Sequence, residues 1–232
     1  MKNLTNWILA FVLWAGIVVM LVIAITKPVY AIPLEINYVE GSHSLSREEV
    51  IKVIKLAASE WSESMSRPLR VVRLRSLNLR RFKSPVMGPD WMDYIHNYRR
   101  YVKRNTRRGV KRAFLLFAPT MQQGKLNFFG GLAFQGYYKK FPQEAVAVVY
   151  GKRLSDDGEN RLRVCSKLAQ HELAHLICNL GHSYINTGDN GYMIARTECM
   201  MTPYLKLNVM PHWCATEIEV CENRFKSWRW MK

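Results

Sequence analysis

Two histidines four residues apart, His171 and His175, enclose a carboxylate in the run His171-Glu172-Leu173-Ala174-His175, and His182 follows seven residues after His175. On a helix, side chains four apart lie on one face, so both imidazoles can reach one metal ion. Glu172 sits on the same turn, where a carboxylate can take a proton from an attacking water. Two imidazoles leave a tetrahedral zinc short of ligands. A catalytic zinc has a third protein ligand and one open position. His182 lies just past Gly181, where a helix can end and the chain turn back. The chemistry that this spacing could support is metal-assisted hydrolysis. A helix of mixed polarity can carry the same five positions with no metal, so context decides.

The context favours a half-buried helix. Leu168, Leu173, Leu176, Ile177 and Leu180 recur among polar residues across residues 162–180. A Met-x-Pro run, Met201-Thr202-Pro203, follows.

With these neighbours, residues 171–183, HELAHLICNLGHS, resemble the zinc signature of the metzincins. Among them the run is most similar to the matrixins, whose pattern H-E-x-x-H-x-x-G-x-x-H often ends L-G-H-S. Met201-Thr202-Pro203 resembles the Met-turn, a tight turn whose methionine lies beneath the zinc histidines. Gly130-Gly131-Leu132-Ala133-Phe134 resembles the edge strand lining the substrate cleft. Leu45-Ser46-Arg47-Glu48-Glu49-Val50, Ala58-Ser59-Glu60-Trp61-Ser62 and Pro68-Leu69-Arg70-Val71 resemble the first helix and following strand of such a domain. The likeness covers residues 33–225, and only the zinc motif in it is specific.

The resemblance implies Zn2+ held by His171, His175 and His182, with Glu172 as general base. It places Met201 in the Met-turn, and Gly131, Leu132, Ala133 and Phe134 against an extended peptide substrate. It also implies an α+β, zincin-like catalytic domain: a twisted mixed sheet, an active-site helix and a C-terminal helix. The chain departs from the pattern at two points. Cys178 stands where the family has its helix-breaking glycine, and the third histidine comes one residue late. One inserted residue explains both, with Asn179 taking the left-handed turn. If that shift displaces His182, Glu198, Glu217 or Glu219 stands in as third ligand. Tyr204 is not expected to assist, because its offset from Met201 differs from the family members that use such a tyrosine.

The N-terminal residues bear on compartment. Residues 7–25 are nearly all apolar and uncharged, long enough to span a bilayer and long for the core of a signal peptide. Val29-Tyr30-Ala31 offers small residues at cleavage positions. Residues 1–31 are therefore a signal peptide or an N-terminal membrane anchor, and either exports residues 32–232. About 200 residues remain for one catalytic domain with a sizeable core. No cysteine-containing inhibitory switch is evident; Pro85-Val86-Met87-Gly88-Pro89-Asp90 carries a methionine where a thiolate would be.

Five cysteines in an exported chain suggest one or two disulfides and an odd thiol. On one helix, Cys214 and Cys221 would be about 10 Å apart, beyond bridging distance. A Cys178–Cys199 bridge would pin the loop between them.

The remaining elements read from periodicity. Leu34, Ile36 and Tyr38 alternate with Glu35 and Asn37 as a strand. Ser46-Arg47-Glu48-Glu49 is a capping box, followed by Val50, Ile54, Ala57, Ala58 and Trp61 at helical spacing. Residues 70–74, 113–117 and 145–150 read as strands, and a last helix starts near Cys214. Asp156, Asp157 and Glu159 read as a solvated turn rather than a calcium loop.

The whole chain of 232 residues carries a formal charge of +16. Residues 67–112 hold fifteen Lys or Arg against two acidic residues, Asp90 and Asp93. Arg99, Lys103 and Arg107, and likewise Arg100, Arg104 and Arg108, are spaced by four beside Tyr94, Ile95, Tyr98, Tyr101 and Val102. That predicts an inserted amphipathic helix within residues 84–112 with a basic face. The face is either simply solvated or meets an anionic surface or polymer; export makes nucleic acid an unlikely partner.

Together these readings predict an exported or membrane-anchored zinc endopeptidase acting on peptides or proteins. The competing reading is a non-catalytic, membrane-associated binding protein on the same scaffold, but such a protein has no need of Glu172.

Overall fold

A sheet of five strands, ordered β2-β1-β3-β5-β4, carries the domain. The computed structural model describes residues 14, 30–40, 45–77, 90–107, 112–118, 131–134, 146–150, 158–182, 184–186, 193–195, 198–202 and 210–227. Within these, residues 90–96, 106–107, 131–134, 146–150, 158–159, 184–186, 193–195 and 227 are described by backbone alone. The chain divides into two compact units, Met1–Tyr30 and Ala31–Lys232. Apart from Trp14, the apolar segment of residues 7–25 lies outside the described residues. Among those residues no helix is long and apolar enough to cross a membrane.

The elements of the second unit are β1 (Ile32–Val39), α1 (Arg47–Ser64), β2 (Leu69–Leu77), α2 (Asp90–Arg107), β3 (Ala113–Ala118), β4 (Gly131–Phe134), β5 (Val146–Tyr150), α3 (Gly158–Cys178), β6 (Tyr184–Asn186), β7 (Met193–Ala195) and α4 (Ala215–Ser227). β1 pairs parallel with β2 and β3, and β3 pairs parallel with β5. β4 alone runs antiparallel, on β5. The result is a mixed fold of α and β with a small, mainly parallel sheet and four helices among the described residues. It is more parallel than the α+β grouping expected, because α1 and α2 each cross between parallel strands.

Parallel strands need cover on both faces, and β1 shows how that is met. Ile32, Leu34, Ile36 and Tyr38 enter the main core with α1 and α3. Glu35 and Asn37 point the other way, yet both are fully buried. There α2 covers them. Tyr101 Oη donates to Glu35 Oε1 at 2.6 Å and Tyr98 Oη donates to Asn37 Oδ1 at 2.7 Å. Arg112 Nη1 lies 3.0 Å from Glu35 Oε2. Burial, then the Glu35 carboxylate, pushes both phenols above their usual range. The predicted basic helix thus exists, and Tyr98, Tyr101 and Val102 form its inward stripe. Arg100 and Arg104 remain exposed.

α1 begins as the sequence predicts. Glu49 N–H donates to Ser46 Oγ at 3.2 Å, and Ser46 N–H donates to Glu49 Oε2 at 2.7 Å, satisfying two orphan amides. Val50, Val53, Ile54, Ala57 and Trp61 form its buried face. At its far end Trp61 meets Trp213 edge-on, 5.3 Å between ring centres. α3 lies alongside, aligned in the same direction. Arg161 pairs with Glu49 near the start, and Lys167 lies 2.8 Å from Glu60 near the end.

Two disulfides hold the segments beyond α3. Cys178, the last residue of α3, bonds Cys221 on α4, and Cys199 bonds Cys214 just before α4. The Cys178–Cys199 bridge considered from sequence does not form. Cys199 forms a parallel bridge with His212, which brings it beside Cys214, while α4 turns Cys221 toward the end of α3. Cys214 and Cys221 keep separate partners, as helical rise requires. Cys165 is the odd thiol, fully buried in α3, and burial pushes it up to about 12.

A thiolate is the reactive form, so Cys165 is inert in the folded chain. Titration with a chromogenic disulfide reagent at pH 8, without reductant, is expected to find no thiol in the native chain and one after unfolding. Three or more thiols on unfolding would contradict the two bridges.

Candidate metal centre

Three ring nitrogens meet at the end of α3. His171 Nε2 lies 3.0 Å from His175 Nε2, which lies 3.2 Å from His182 Nε2. The three are within 4.8 Å of one another. Helical spacing places the first two; what aims them is backbone from outside the helix. His171 Nδ1 lies 2.8 Å from Met200 O, and His175 Nδ1 lies 2.5 Å from Leu180 O. Only an Nδ1–H can serve a carbonyl, so both rings carry their proton on Nδ1. Their Nε2 atoms are then acceptors alone. Two acceptors 3.0 Å apart repel one another unless a cation lies between them. Tetrahedral zinc with ordinary Zn–N lengths would place its nitrogens about 3.3 Å apart, close to the observed spacing.

Burial, joined by the neighbouring His175, lowers His171 to about 3; burial also lowers His175 and His182. All three are therefore neutral near pH 7, the state in which imidazole binds metal. Donor type, count and spacing fit zinc.

The exit from α3 sets the third nitrogen. Asn179 is left-handed, φ 59°, as the inserted residue requires. Leu180 N–H then reaches back to Ala174 O at 3.4 Å, which turns the Leu180 carbonyl onto His175 and delivers His182. Gly181 is not the turning point. It has no left-handed φ, and a Cβ there would meet nothing within 4 Å.

Glu172 is buried on the same helix, and burial pushes its carboxyl well above the usual carboxylate range. Its Oε2 has no protein hydrogen-bond partner among the described residues. A buried carboxylate oxygen without a partner needs a reason. A cation beside it would favour its charged form and supply one.

Of the carboxylates weighed as a third ligand, Glu217 is buried and occupied. It accepts from Met201 N–H at 2.9 Å and from Cys214 N–H at 3.1 Å. Glu198 and Glu219 are exposed and lie outside the histidine cluster. Cys199, Cys214 and Glu217 also lie close together, but both sulfurs are bonded to each other. Met201 stands third in a four-residue turn closed by Thr202 N–H on Cys199 O at 3.1 Å, with Met200 and Met201 both buried. Pro203, Tyr204, Asp156 and Asp157 lie outside the described residues. Gly131, Leu132, Ala133 and Phe134 form β4, outermost in the described sheet and packed beside α3.

No family model matches the sequence, and no curated protein matches it. Solved structures do match. Archaemetzincin from Methanopyrus kandleri is similar with TM-score 0.56 and 19% identity, over 87% of this chain and 99% of that one. A zinc-dependent peptidase from Methanocorpusculum labreanum gives TM-score 0.53 and 16% identity, over 81% and 99%. Metalloproteinase-II from Bacteroides fragilis gives 0.50 and 14%, over 86% of this chain and 55% of that one.

The fold is that of zinc metallopeptidases.

Sequence reading missed the carbonyls of Met200 and Leu180 and the true place of Glu217. Backbone acceptors leave no residue-type signal. Glu217 did leave one: it stands three residues after Cys214, the capping-box spacing, without the usual Ser or Thr.

The left-handed turn makes a direct prediction. Asn179→Val is expected to cost about 1–2 kcal/mol, and Asn179→Gly to stay within about 0.5 kcal/mol. Gly181→Ala should be neutral within about 0.5 kcal/mol. Denaturant unfolding of the three variants checks the order, and a larger loss at Gly181 than at Asn179 would refute it.

Proposed function

We propose that this chain is a zinc-dependent peptidase in which His171, His175 and His182 hold the metal and Glu172 is the general base. One observation carries the reading: two carbonyl-locked imidazoles face each other acceptor to acceptor, with a third imidazole beside them and, on the same helix, a buried carboxylate whose Oε2 has no protein partner among the described residues. Zinc bound there supplies Lewis acidity, polarising the scissile carbonyl and lowering the pKa of a water from 15.7 toward about 7. The protein groups do the rest. Glu172 takes the water proton at its carboxylate and hands it to the departing amine nitrogen. Among the described residues His171 is buried and His182 exposed, so the approach we propose is on the His182 side.

The finer reading is an exported endopeptidase acting on peptide or protein substrates. β4 supports cleavage within a chain. As the outermost described strand it offers backbone N–H and C=O groups to an extended peptide, which binds as an added strand whatever its side chains. The L-G-H-S ending supports the matrixin branch. Two disulfides support an oxidising compartment, in keeping with a signal or anchor at residues 1–31. The basic face of α2, with Arg100 and Arg104 exposed, would suit an anionic surface.

The test is paired. Glu172→Ala should keep about one zinc per chain and lose peptide hydrolysis by at least ~100-fold. His182→Ala should lose most of its zinc. Metal content and cleavage of an unstructured protein substrate are read side by side. Full hydrolysis in the Glu172 variant would remove the assigned base, and zinc without hydrolysis in the wild type would favour the binding-protein reading.

A further inference from the structure

Two hydrogen bonds converge on one peptide group. The amide joining Met200 to Met201 accepts from His171 Nδ1–H at its carbonyl, 2.8 Å, and donates its N–H to Glu217 Oε1, 2.9 Å. A carboxylate, a peptide and an imidazole therefore stand in series behind one of the three converging nitrogens. The other carboxylate oxygen accepts Cys214 N–H at 3.1 Å, where α4 begins, so Glu217 is held at both oxygens. It is buried, and the Cys199–Cys214 bridge ties both ends of the surrounding loop together.

We propose that Glu217 is a positioning residue for the metal centre, acting on His171 through the Met200–Met201 peptide. The inference rests on the zinc reading above. An anion at the N–H end of an amide increases the negative charge on its carbonyl oxygen, since hydrogen bonds in series polarise one another. A more negative carbonyl holds the Nδ1–H more firmly, fixes the tautomer and makes Nε2 a stronger donor. Carboxylates that contact metal-bound histidines directly act in this way, and removing them typically costs 10–100-fold in metal affinity. Here the carboxylate reaches the ring through one peptide unit. His175 provides an internal control, because its Nδ1 meets the Leu180 carbonyl on a different segment.

The experiment uses the full chain. Zinc affinity is measured by competition with a chromophoric chelator for wild type, Glu217→Gln and Glu222→Gln. The Nδ1–H proton resonances of His171 and His175 are followed in the zinc-loaded proteins. Glu222 is a control on the same helix: it accepts from Ser66 N–H at 2.7 Å and from the Ser66 hydroxyl, away from the turn. The expected result is a roughly 10–100-fold loss of zinc affinity in Glu217→Gln. The His171 resonance should move upfield, the His175 resonance should stay, and Glu222→Gln should match wild type.

Unchanged affinity in a folded Glu217→Gln overturns the proposal. So does a common shift of both histidine resonances, or an equal loss in Glu222→Gln, since either would trace the effect to α4 docking alone. If Glu217→Gln does not fold, Glu217→Asp carries the same readings, its carboxylate one methylene short of the Met201 amide. A wild type that binds no zinc removes the underlying reading. Zinc binding indifferent to Glu217 removes only the relay.

Discussion

An imidazole four residues from another on a helix is free to rotate, and a usable metal centre needs both rings stopped at one angle. In this chain two backbone carbonyls do that, Met200 O for His171 and Leu180 O for His175. Neither lies within α3. One belongs to the turn closed between Cys199 and Thr202, and the other to the exit past Asn179. The site is therefore only as well ordered as two pieces of irregular backbone. The two disulfides answer that constraint. Cys178–Cys221 fixes the end of α3 to α4, and Cys199–Cys214 closes the loop that carries the turn. In the chain-entropy account, closing a loop of about 15 residues is worth about 3 kcal/mol. That gain comes from the unfolded chain, and it favours the folded state in which the turn and its Met200 carbonyl are in place.

The sheet meets a different constraint, because parallel strands must be hidden on both faces. α1 and α3 cover one face with aliphatic and aromatic residues. On the other, β1 presents Glu35 and Asn37, which could not be buried alone. α2 brings two phenols, and Arg112 brings a guanidinium, so each polar group finds a partner. The same helix keeps Arg100 and Arg104 in water. Its high charge and its tyrosine stripe are thus two faces of one requirement: a solvated helix that can still close a polar strand.

Sequence patterns made the elements legible where one local rule ruled. The capping box at Ser46, the apolar spacing of α1 and the alternation of β1 each depend on near neighbours. So does the left-handed Asn179, forced by one residue too many between His175 and His182. The alternation of β1 marked it as a strand but not the burial of its polar residues, which depends on the arrival of α2. The disulfide partners were not legible, because Cys199 reaches Cys214 through its bridge to His212. The mainly parallel sheet was equally hidden, being a matter of strand order rather than strand content.

The site itself was half legible for a physical reason. Ligand atoms belong to side chains, and side chains are what a sequence spells. Spacing alone pointed to His171 and His175 with Glu172 between them, and the resemblance to the metzincin signature added His182. The groups that aim them are peptide carbonyls, identical at every residue, and become specific only when the chain is folded. Glu217 stands between these cases. As a carboxylate it could be weighed as a ligand, but both its oxygens are taken by backbone donors, and it groups with Cys199 and Cys214 rather than with the histidines. A buried acid near a metal motif is therefore poor support for ligation until its own hydrogen bonds are counted. Here both of its oxygens face amides of the chain, whereas Glu172, on the same helix as His171 and His175, keeps one oxygen without a protein partner among the described residues. That contrast leaves Glu172 with an oxygen to offer beside the histidines, while Glu217 braces the turn that carries Met200.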